Sequence, residues 1–394
     1  MSAAVTLSVL SSLAGIDPAA WDRLLAETPG PADGGGRVFL RHAYLYALET
    51  SGCVGGRTGW QPCYLIAQDG GRLVGAVPLY LKAHSYGEFV FDWAWADAHR
   101  RAGLAYYPKL VAAVPFTPCP GPRVLAACET VAEALIAEAL ALVQRNRLSS
   151  LHVLFPDAPE AERWARQGLL LRRGVQFHWH NRREPAPWRD FEEMLTAMSH
   201  DKRKKIRQDR RYVIEAGVSA WRMLDGATAS HADWAFFTRC YERTYATHFS
   251  TPYLNLDFFL ALARAMPKAL RLWIGERAGE PVCASLCVLS GRVLHGRYWG
   301  AIEPVRSLHF EACYYRPIEW AIAEGLTRFE GGAQGVHKLA RGLLPVATHS
   351  AHWIAEPRFR DAIEEFCARE RIGVAHTLDE LAESAPFKTA PTVA

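Results

Sequence analysis

The sequence is that of an ordinary globular protein. Its 394 residues are 50% hydrophobic and 22% charged, which suffices for two domains of usual size and excludes disordered and collagen-like classes. A net charge of +4 is too small for a dedicated DNA-binding protein, whose surface is basic throughout. Nine cysteines without a CxxC pair favour reduced thiols, and no apolar run has the ~18 to 20 residues that cross a bilayer. We therefore expect a cytoplasmic protein without a transmembrane segment.

The first half of the chain predicts alternating strands and helices, the pattern of a mixed α/β sheet. Strands are predicted at residues 5–10, 109–115, 151–155 and 169–179, and helices at 18–27, 38–50, 129–145 and 159–166. Residues 62–68 and 72–82 flank the turn Asp69-Gly70-Gly71, which is typical of a β-hairpin. The aromatic segment 86–107 shows no period, and we expect it to be irregular.

A basic helix is predicted just past the midpoint of the chain, at residues 200–216. Ser199 or Asp201 can cap its start, and Gly217 suits the left-handed residue that ends many helices. Residues 202–211 include seven basic residues and one acid, a local charge of +6. Because charges this dense repel each other, we favour a bound anion over a merely solvated helix face. The residues expected to bind it are Lys202, Arg203, Arg207 and Arg211.

The order of elements then repeats. A strand is predicted at residues 218–224, helices at 231–245 and 256–266, and a second hairpin at 272–289. Laid on the first hairpin at a constant offset of 208 residues, the second one places Ile274 on Ile66, Gly279 on Gly71 and Val282 on Val74. We infer an internal duplication. The predicted domains are residues 1–187 and 188–394, and the second contains the basic helix.

A strand, two helices, a hairpin, a further strand and a helix, in this order, resemble the GNAT acyltransferase fold. Several segments are more specific: Val114-Pro-Phe-Thr-Pro, Gln176-Phe-His-Trp, Lys202-Arg-Lys-Lys-Ile-Arg, Gly296-Arg-Tyr-Trp-Gly, Leu308-His-Phe-Glu-Ala-Cys-Tyr-Tyr and Gly332-Ala-Gln-Gly-Val-His-Lys. With them, nearly the whole chain is similar to the bacterial FemAB-like family of GNAT N-acetyltransferases. The resemblance implies two tandem GNAT-like domains in an α/β fold. It also implies acyl or aminoacyl transfer, which Fem-type proteins perform on peptidoglycan precursors.

Most of the candidate site residues lie in the second half of the chain. Arg297 stands on an apolar strand, where an unpaired charge is costly, so we expect it to face a cleft or to pair with Glu311 or Glu330. His309, Glu311 and Tyr314 stand at the start of the next helix, where the GNAT fold receives its acyl donor and where a helix N-terminus favours anions. The helix start is therefore a predicted part of the site.

A glycine-rich segment at residues 331–335 follows a short predicted strand. Backbone N–H groups exposed by such a segment, together with nearby cations, favour anion binding over a simple turn. The residues expected to contact the substrate here are Gln334, His337, Lys338 and Arg341.

Amide formation by acyl transfer needs a base for the attacking ammonium, donors for the oxyanion and an acid for the leaving group. The candidate bases are His309, Glu311 and Glu330, of which the first two are preferred. Tyr298 or Tyr314 could be the acid. Because the sequence has no HExxH, CxxC or GxSxG motif, we expect neither a catalytic metal nor a serine nucleophile.

The donor stays open, because the pyrophosphate loop of acetyl-CoA enzymes is absent from residues 118–124 and 301–307. The predicted activity is N-acyl or aminoacyl transfer, from acyl-CoA or aminoacyl-tRNA, to the amine of a small anionic acceptor. A tRNA acceptor end is a candidate partner, and DNA is not. Two alternatives remain: a non-catalytic module that recognises tRNA, acyl-CoA or a nucleotide-sugar precursor, and a nucleic-acid-binding regulator that uses the basic helix alone.

Overall fold

The computed structural model describes residues 5–333 and 335–388, which form two compact units. Unit 1 contains the described residues up to Ala32, together with Phe39–Gly174 and Ala347–His376. Unit 2 contains Asp33–Val38, Val175–Val346 and the described residues from Thr377 onward. The predicted division between residues 187 and 188 follows chain order. The observed division differs because residues 350–354 pair with a strand of unit 1.

Unit 1 is built from short strands and five helices of its own. Its strands are β1 (Thr6–Leu10), β2 (Trp60–Pro62), β3 (Tyr64–Asp69), β4 (Arg72–Val77), β5 (Leu79–Lys82), β6 (Lys109–Ala112), β7 (Leu125–Ala126) and β8 (Ser150–Leu154). Its helices are α1 (Pro18–Glu27), α2 (His42–Thr50), α3 (Trp93–Arg101), α4 (Glu129–Arg145) and α5 (Ala158–Arg166). Strand β9 (Leu170–His180) then carries the chain into unit 2.

Unit 2 begins with three helices and a strand. They are α6 (Phe191–Ala197), α7 (His200–Glu215), β10 (Val218–Leu224) and α8 (His231–Thr247). The elements that follow are α9 (Leu256–Ala265), β11 (Leu270–Arg277), β12 (Glu280–Ser290), β13 (Val293–Ala301), α10 (Leu308–Phe310), α11 (Arg316–Ala323) and β14 (Arg328–Glu330). The chain ends with β15 (Leu344–Ile354) and α12 (Pro357–Glu383), which contribute residues to both units.

Most predicted elements are confirmed, and α1 and α4 begin and end at the predicted residues. Helix α3 corrects the expectation of an irregular segment at residues 86–107. Its Trp95 and His99 lie one turn apart and are both buried, so tertiary packing on one face stabilises a helix too short to show a period. The predicted strand 72–82 is divided at Pro78, which has no N–H for the ladder.

The two hairpins, β3–β4 and β11–β12, repeat each other in detail. In each one the pairing register shifts between the same two positions, Ala67/Gln68 in unit 1 and Gly275/Glu276 in unit 2. These positions are separated by the predicted offset of 208 residues. A register shift is a specific backbone feature, so its repetition supports the internal duplication.

The sheet of unit 2 is mixed. Strands β10 to β13 are antiparallel neighbours, β14 runs parallel to β13, and β9 is antiparallel to β14. Helix α11 covers this sheet through buried apolar residues such as Ile318 and Ile322, which lie four residues apart. Among the described residues, no helix combines the length and apolar character that crossing a bilayer requires.

Candidate functional site

A cavity opens in unit 2 where two parallel strands stop pairing. Strands β13 and β14 are paired at Val293–His295 and Arg328–Glu330, and no further pairing follows in their register. Next to the unpaired part of β13 lies a cavity of about 260 Å³. Its polar and aromatic lining residues include Ser285, Arg297, Tyr298, Trp299, His309, Tyr314, His337 and Lys338. The described lining residues include two strong cations and no carboxylate.

A β-bulge shapes the wall of this cavity. Strand β12 pairs Leu286 with Tyr298 and then Cys287 with Gly296, so Arg297 is the extra residue of β13. The Arg297 side chain lines the cavity, and its Nη2 donates to the Tyr298 hydroxyl at 3.0 Å. The expectation that Arg297 faces a cleft agrees with this placement.

Aromatic rings surround His309 in the cavity. Its ring centroid lies 4.6 Å from that of Trp299 and 5.3 Å from that of Tyr314. Burial, reinforced by His337 and Lys338, lowers the pKa of His309 to about 4. At neutral pH its imidazole is therefore uncharged and is a weak proton acceptor.

Two further predicted residues, Tyr314 and His337, line the same cavity. A 3.2 Å hydrogen bond joins the Tyr314 hydroxyl to Nε2 of His337, and burial raises the pKa of Tyr314 above its usual range. Tyr314 lies in a π-helical turn, Glu311–Tyr315, between α10 and α11. Such turns occur often at functional sites, because they redirect side chains that an α-helix would place elsewhere.

Lys338 is a buried cation of the cavity lining. Its Nζ donates to the carbonyl of Gly332 at 2.8 Å, and its side chain is only 3% exposed. Burial lowers the pKa of Lys338 to about 8. Its ammonium is therefore the easiest of the cavity cations to deprotonate.

Glu311 and Glu330, which the sequence suggests as bases, do not line the cavity. Glu311 is buried and accepts hydrogen bonds from Arg210, and its Oε1 lies 2.7 Å from Nε of Arg316. Glu330 is held by His295 at 2.9 Å and by Arg328 at 3.1 Å. These contacts hold the two acids in ion pairs.

The charge of Glu330 is strongly favoured by its neighbours. Burial alone would raise the pKa of this carboxyl, but His295, His178 and Arg328 together hold it below the ordinary value. Glu330 is therefore ionised at neutral pH. Within the described residues, its contacts orient the end of β14 where the cavity begins.

The basic helix is α7, and it presents two different sides. Arg207 and Arg211 are exposed, and Arg207 pairs with the exposed Glu192 at 2.6 Å. Lys202 and Arg203 are half-buried, and Arg203 donates to the carbonyl of Thr196. These four residues therefore lie on α7 outside the cavity lining.

The inner side of α7 holds the cavity walls together. Asp209, only 1% exposed, accepts hydrogen bonds from Ser307 and Tyr315 at 2.9 Å and from Arg341 at 3.3 Å. The guanidinium of Arg341 stacks on Phe310 at 3.6 Å. Arg341 is therefore an internal partner of Asp209, and it also donates a 2.7 Å hydrogen bond to the carbonyl of His337.

Asp209 is a residue that the sequence reasoning missed. The signal was present, because Asp209 is the one acid in the basic stretch 202–211. Of the predicted site residues, the cavity brings together Arg297, Tyr298, His309, Tyr314, His337 and Lys338. Gln334 lies outside the described residues.

Comparisons with solved structures find neighbours that align over most of the chain. The chain aligns with FemX, whose crystal structure is 10% identical, at a TM-score of 0.50, covering 91% of this chain and 100% of that one. L-PGS from Bacillus licheniformis aligns at 11% identity and a TM-score of 0.49, covering 90% and 97% of the two chains. A tandem GNAT protein from the clavulanic acid biosynthesis pathway aligns at 13% identity and 0.45, covering 90% and 99%. No curated protein sequence matches the chain.

The predicted fold class, a mixed α/β sheet in two tandem GNAT-like units, is confirmed. At these identities the structural likeness concerns the fold alone. The family comparison is broader, since residues 12–389 match a family described as FemAB-like, of peptidoglycan biosynthesis/recognition. The chain therefore belongs to the FemAB-like family, as its motifs predicted.

Proposed function

We propose that the chain is an acyltransferase that forms an amide bond, moving an acyl or aminoacyl group to the amine of a small anionic acceptor. The observation that carries this proposal is the cavity beside β13, which combines Arg297 and Lys338 with no carboxylate among its described lining residues. Such a lining attracts an anionic group and repels none. Membership of the FemAB-like family supports the choice of acyl transfer.

The cavity offers groups for the required proton transfers. His309 is the proposed base, because its imidazole is uncharged at neutral pH and lines the cavity. The proposed acid is the phenol of Tyr298 or Tyr314, both of which line the cavity. A backbone N–H of the bulged strand β13 would serve the oxyanion.

The two predicted acids take supporting roles in this proposal. Glu311 holds α7 to the π-helical turn through Arg210, and Glu330 holds the end of β14 through His295 and Arg328. Removing a partner from a buried ion pair costs about 3 to 5 kcal/mol, so both acids would position the cavity walls.

The exposed side of α7 is the proposed contact for phosphate groups of the donor or the acceptor. Lys202, Arg203, Arg207 and Arg211 lie along this helix, and an acyl-CoA or an aminoacyl-tRNA would supply the phosphates. Arg207 would exchange its exposed partner Glu192 for the ligand. Little is lost in this exchange, because an exposed ion pair is worth only about 0 to 1 kcal/mol.

Binding of tRNA and of acyl-CoA to the double variant R203A/R207A tests the phosphate contact. We expect affinity for the true ligand to fall about 10-fold, and the plot of log K against log salt to become shallower by about 1 to 2 units. The matched control is R358A/R369A, which removes the same charge from two exposed arginines of α12. Equal binding by the two double variants would exclude α7 from ligand binding.

A non-catalytic binding module is the second candidate function. One observation favours it: two of the three predicted bases, Glu311 and Glu330, are committed to ion pairs. A thermal-shift panel of acyl-CoA, charged tRNA and UDP-linked precursors separates the candidates when followed by assays for free thiol and deacylated tRNA. Stabilisation with product supports the transferase, and stabilisation without product supports the binding module.

A further inference from the structure

The side chain of Lys338 passes along two glycines that leave room for it. A Cβ added at Gly331 would lie 3.3 Å from Cδ of Lys338 and 2.5 Å from Cδ2 of Leu343. Gly332 has a φ of +87° and supplies the carbonyl that accepts the 2.8 Å hydrogen bond from Nζ. Any larger residue at Gly331 would compete with the lysine for this space. The glycine pair therefore places the amine of Lys338 in the cavity lining.

The surroundings of this amine are basic or neutral. Arg297, His309 and His337 share the cavity with it, as does the thiol of Cys313. Burial is the main reason that the pKa of Lys338 falls to about 8, and Cys313 only weakly opposes the shift. At pH 7 an amine with this pKa is about one tenth neutral, against roughly 1 in 2500 for an ordinary lysine with a pKa near 10.4.

Two other buried lysines show what is particular about Lys338. Lys109 is fully buried but pairs with Glu88 and Asp92, and these carboxylates raise its pKa. Lys82 has a pKa lowered to about 7 by burial, but its Nζ lies 3.6 Å from the Trp60 ring and outside the cavity lining. Lys338 alone among the three combines an easily deprotonated amine with a place in this cavity.

We propose that Lys338 is a covalent modification site, at which the amine accepts an acyl group from a small activated acyl donor such as an acyl phosphate or a thioester. The neutral Nζ attacks the carbonyl carbon, and a C–N bond forms. The bond from carbon to the phosphate oxygen or to the thiol sulfur breaks, and the leaving group departs with its electron pair. The proton released from Nζ passes to that leaving group or to solvent.

The product would be an amide that carries no charge. Acylation would remove one of the two strong cations of the cavity and add atoms to a space of about 260 Å³. The affinity of the cavity for anions would therefore fall. This inference goes beyond the proposed transfer reaction, because it needs no acceptor and no turnover.

The test is acetylation of the intact protein by acetyl phosphate at pH 7, followed by mass spectrometry of its peptides over time. We expect Lys338 to be acetylated about 10-fold faster than the exposed Lys268, because burial lowers the pKa of Lys338 to about 8. The rate at Lys338 should rise from pH 6 and level off above about pH 8 to 9. Lys109 and Lys82 are the buried comparators, and both should stay largely unmodified.

The comparison within one protein sample does not depend on any variant folding. Acetylation of Lys338 no faster than that of Lys109 or Lys82 would overturn the proposal. The variant K338R, which keeps the charge, should lose this adduct while the other lysines react as before. Because the readout is the adduct and not a transfer product, it is independent of whether acyl transfer to an external amine is ever detected.

Discussion

Each unit contains a pair of parallel strands that separate after three paired residues, but the two units use the gap differently. In unit 2, β13 and β14 pair at Val293–His295 and Arg328–Glu330, and the cavity lies beyond them. In unit 1, β6 and β8 pair at Leu110–Ala112 and Leu151–Val153 in the same parallel sense. A buried arginine, Arg123, donates a hydrogen bond at the end of β8.

The guanidinium of Arg123 donates hydrogen bonds to four backbone carbonyls of unit 1. Its Nε donates at 2.7 Å to the carbonyl of Leu154, the residue directly after the last paired position of β8. Nη1 donates to Gly121 and Pro122, and Nη2 donates to Cys119. Each of these acceptors is a backbone carbonyl of unit 1. The guanidinium thus satisfies four carbonyls that a cavity would leave to water or to a ligand.

In unit 2 the residue directly after the last paired position of β14 is Gly331, which lines the cavity. The duplicated fold therefore does not by itself produce the same cavity in both units. In unit 1 an arginine side chain donates hydrogen bonds to the nearby carbonyls, and in unit 2 a glycine leaves space for the side chain of Lys338.

The largest effect on stability is expected from removing the hydrogen bonds of Arg123 in unit 1. The variant R123M keeps the volume of the side chain but removes its N–H donors, so four buried carbonyls lose a partner. We expect the free energy of unfolding to fall by about 3 to 5 kcal/mol, measured by urea denaturation. The control R358A removes an exposed arginine and should change stability by less than about 0.5 kcal/mol. A loss under 1 kcal/mol in R123M would show that Arg123 does not hold this region together.

The second prediction concerns the loss of stability of unit 1 at acidic pH, which depends on His152 and His352. Nδ1 of His152 lies 2.6 Å from Nδ1 of His352, so the two rings share one proton. Burial, with Lys109 and Arg172, holds the pKa of both rings well below the ordinary value, while Asp92 opposes the shift at His352. The unfolded chain binds protons below about pH 6.5 and the folded one does not. Stability should therefore fall as the pH drops from 6.5 toward the folded pKa.

Urea unfolding at pH 7 and at pH 5 measures this effect. We expect a loss of up to about 2 kcal/mol for each of the two histidines over that interval. In H352Q the loss should be smaller by about that amount, although the variant is less stable at pH 7. Unit 2 also contains His178 and His180, each with a pKa lowered to about 4 by burial, so part of the loss should remain. An identical pH dependence in wild type and H352Q would contradict the assignment.

The smallest effect on stability is expected from adding a side chain at Gly331 in the cavity of unit 2. The same change should directly weaken anion binding. In G331A the new Cβ meets Leu343 and the stem of Lys338, and we expect a cost of about 1 to 3 kcal/mol. Binding of a small anion in the cavity should weaken about 10-fold, as measured by calorimetry. The control is G373A, where an added Cβ meets nothing within 4 Å. Unchanged anion binding in G331A would place the anion elsewhere.

Features that depend on residues close together in the chain could be predicted from the sequence. Helix α1 begins where predicted because Asp17 caps its start, and the repeated hairpins are visible because glycine turns recur at a constant offset. The basic stretch and the segment containing Arg297, His309 and Lys338 were also evident. The local backbone preferences and charges of these residues point in one direction, so no distant partner is needed to read them.

Only the tertiary structure decided which charged groups face the cavity and which bind each other. Glu311 was a reasonable base until Arg210, 101 residues away in the sequence, was seen to bind it. Arg341 meets Asp209 across 132 residues, and Arg123 donates to the carbonyl of Leu154 across 31 residues. The physical reason is that burying a charge is costly unless a partner is supplied, and the partner is set by the packing of distant elements.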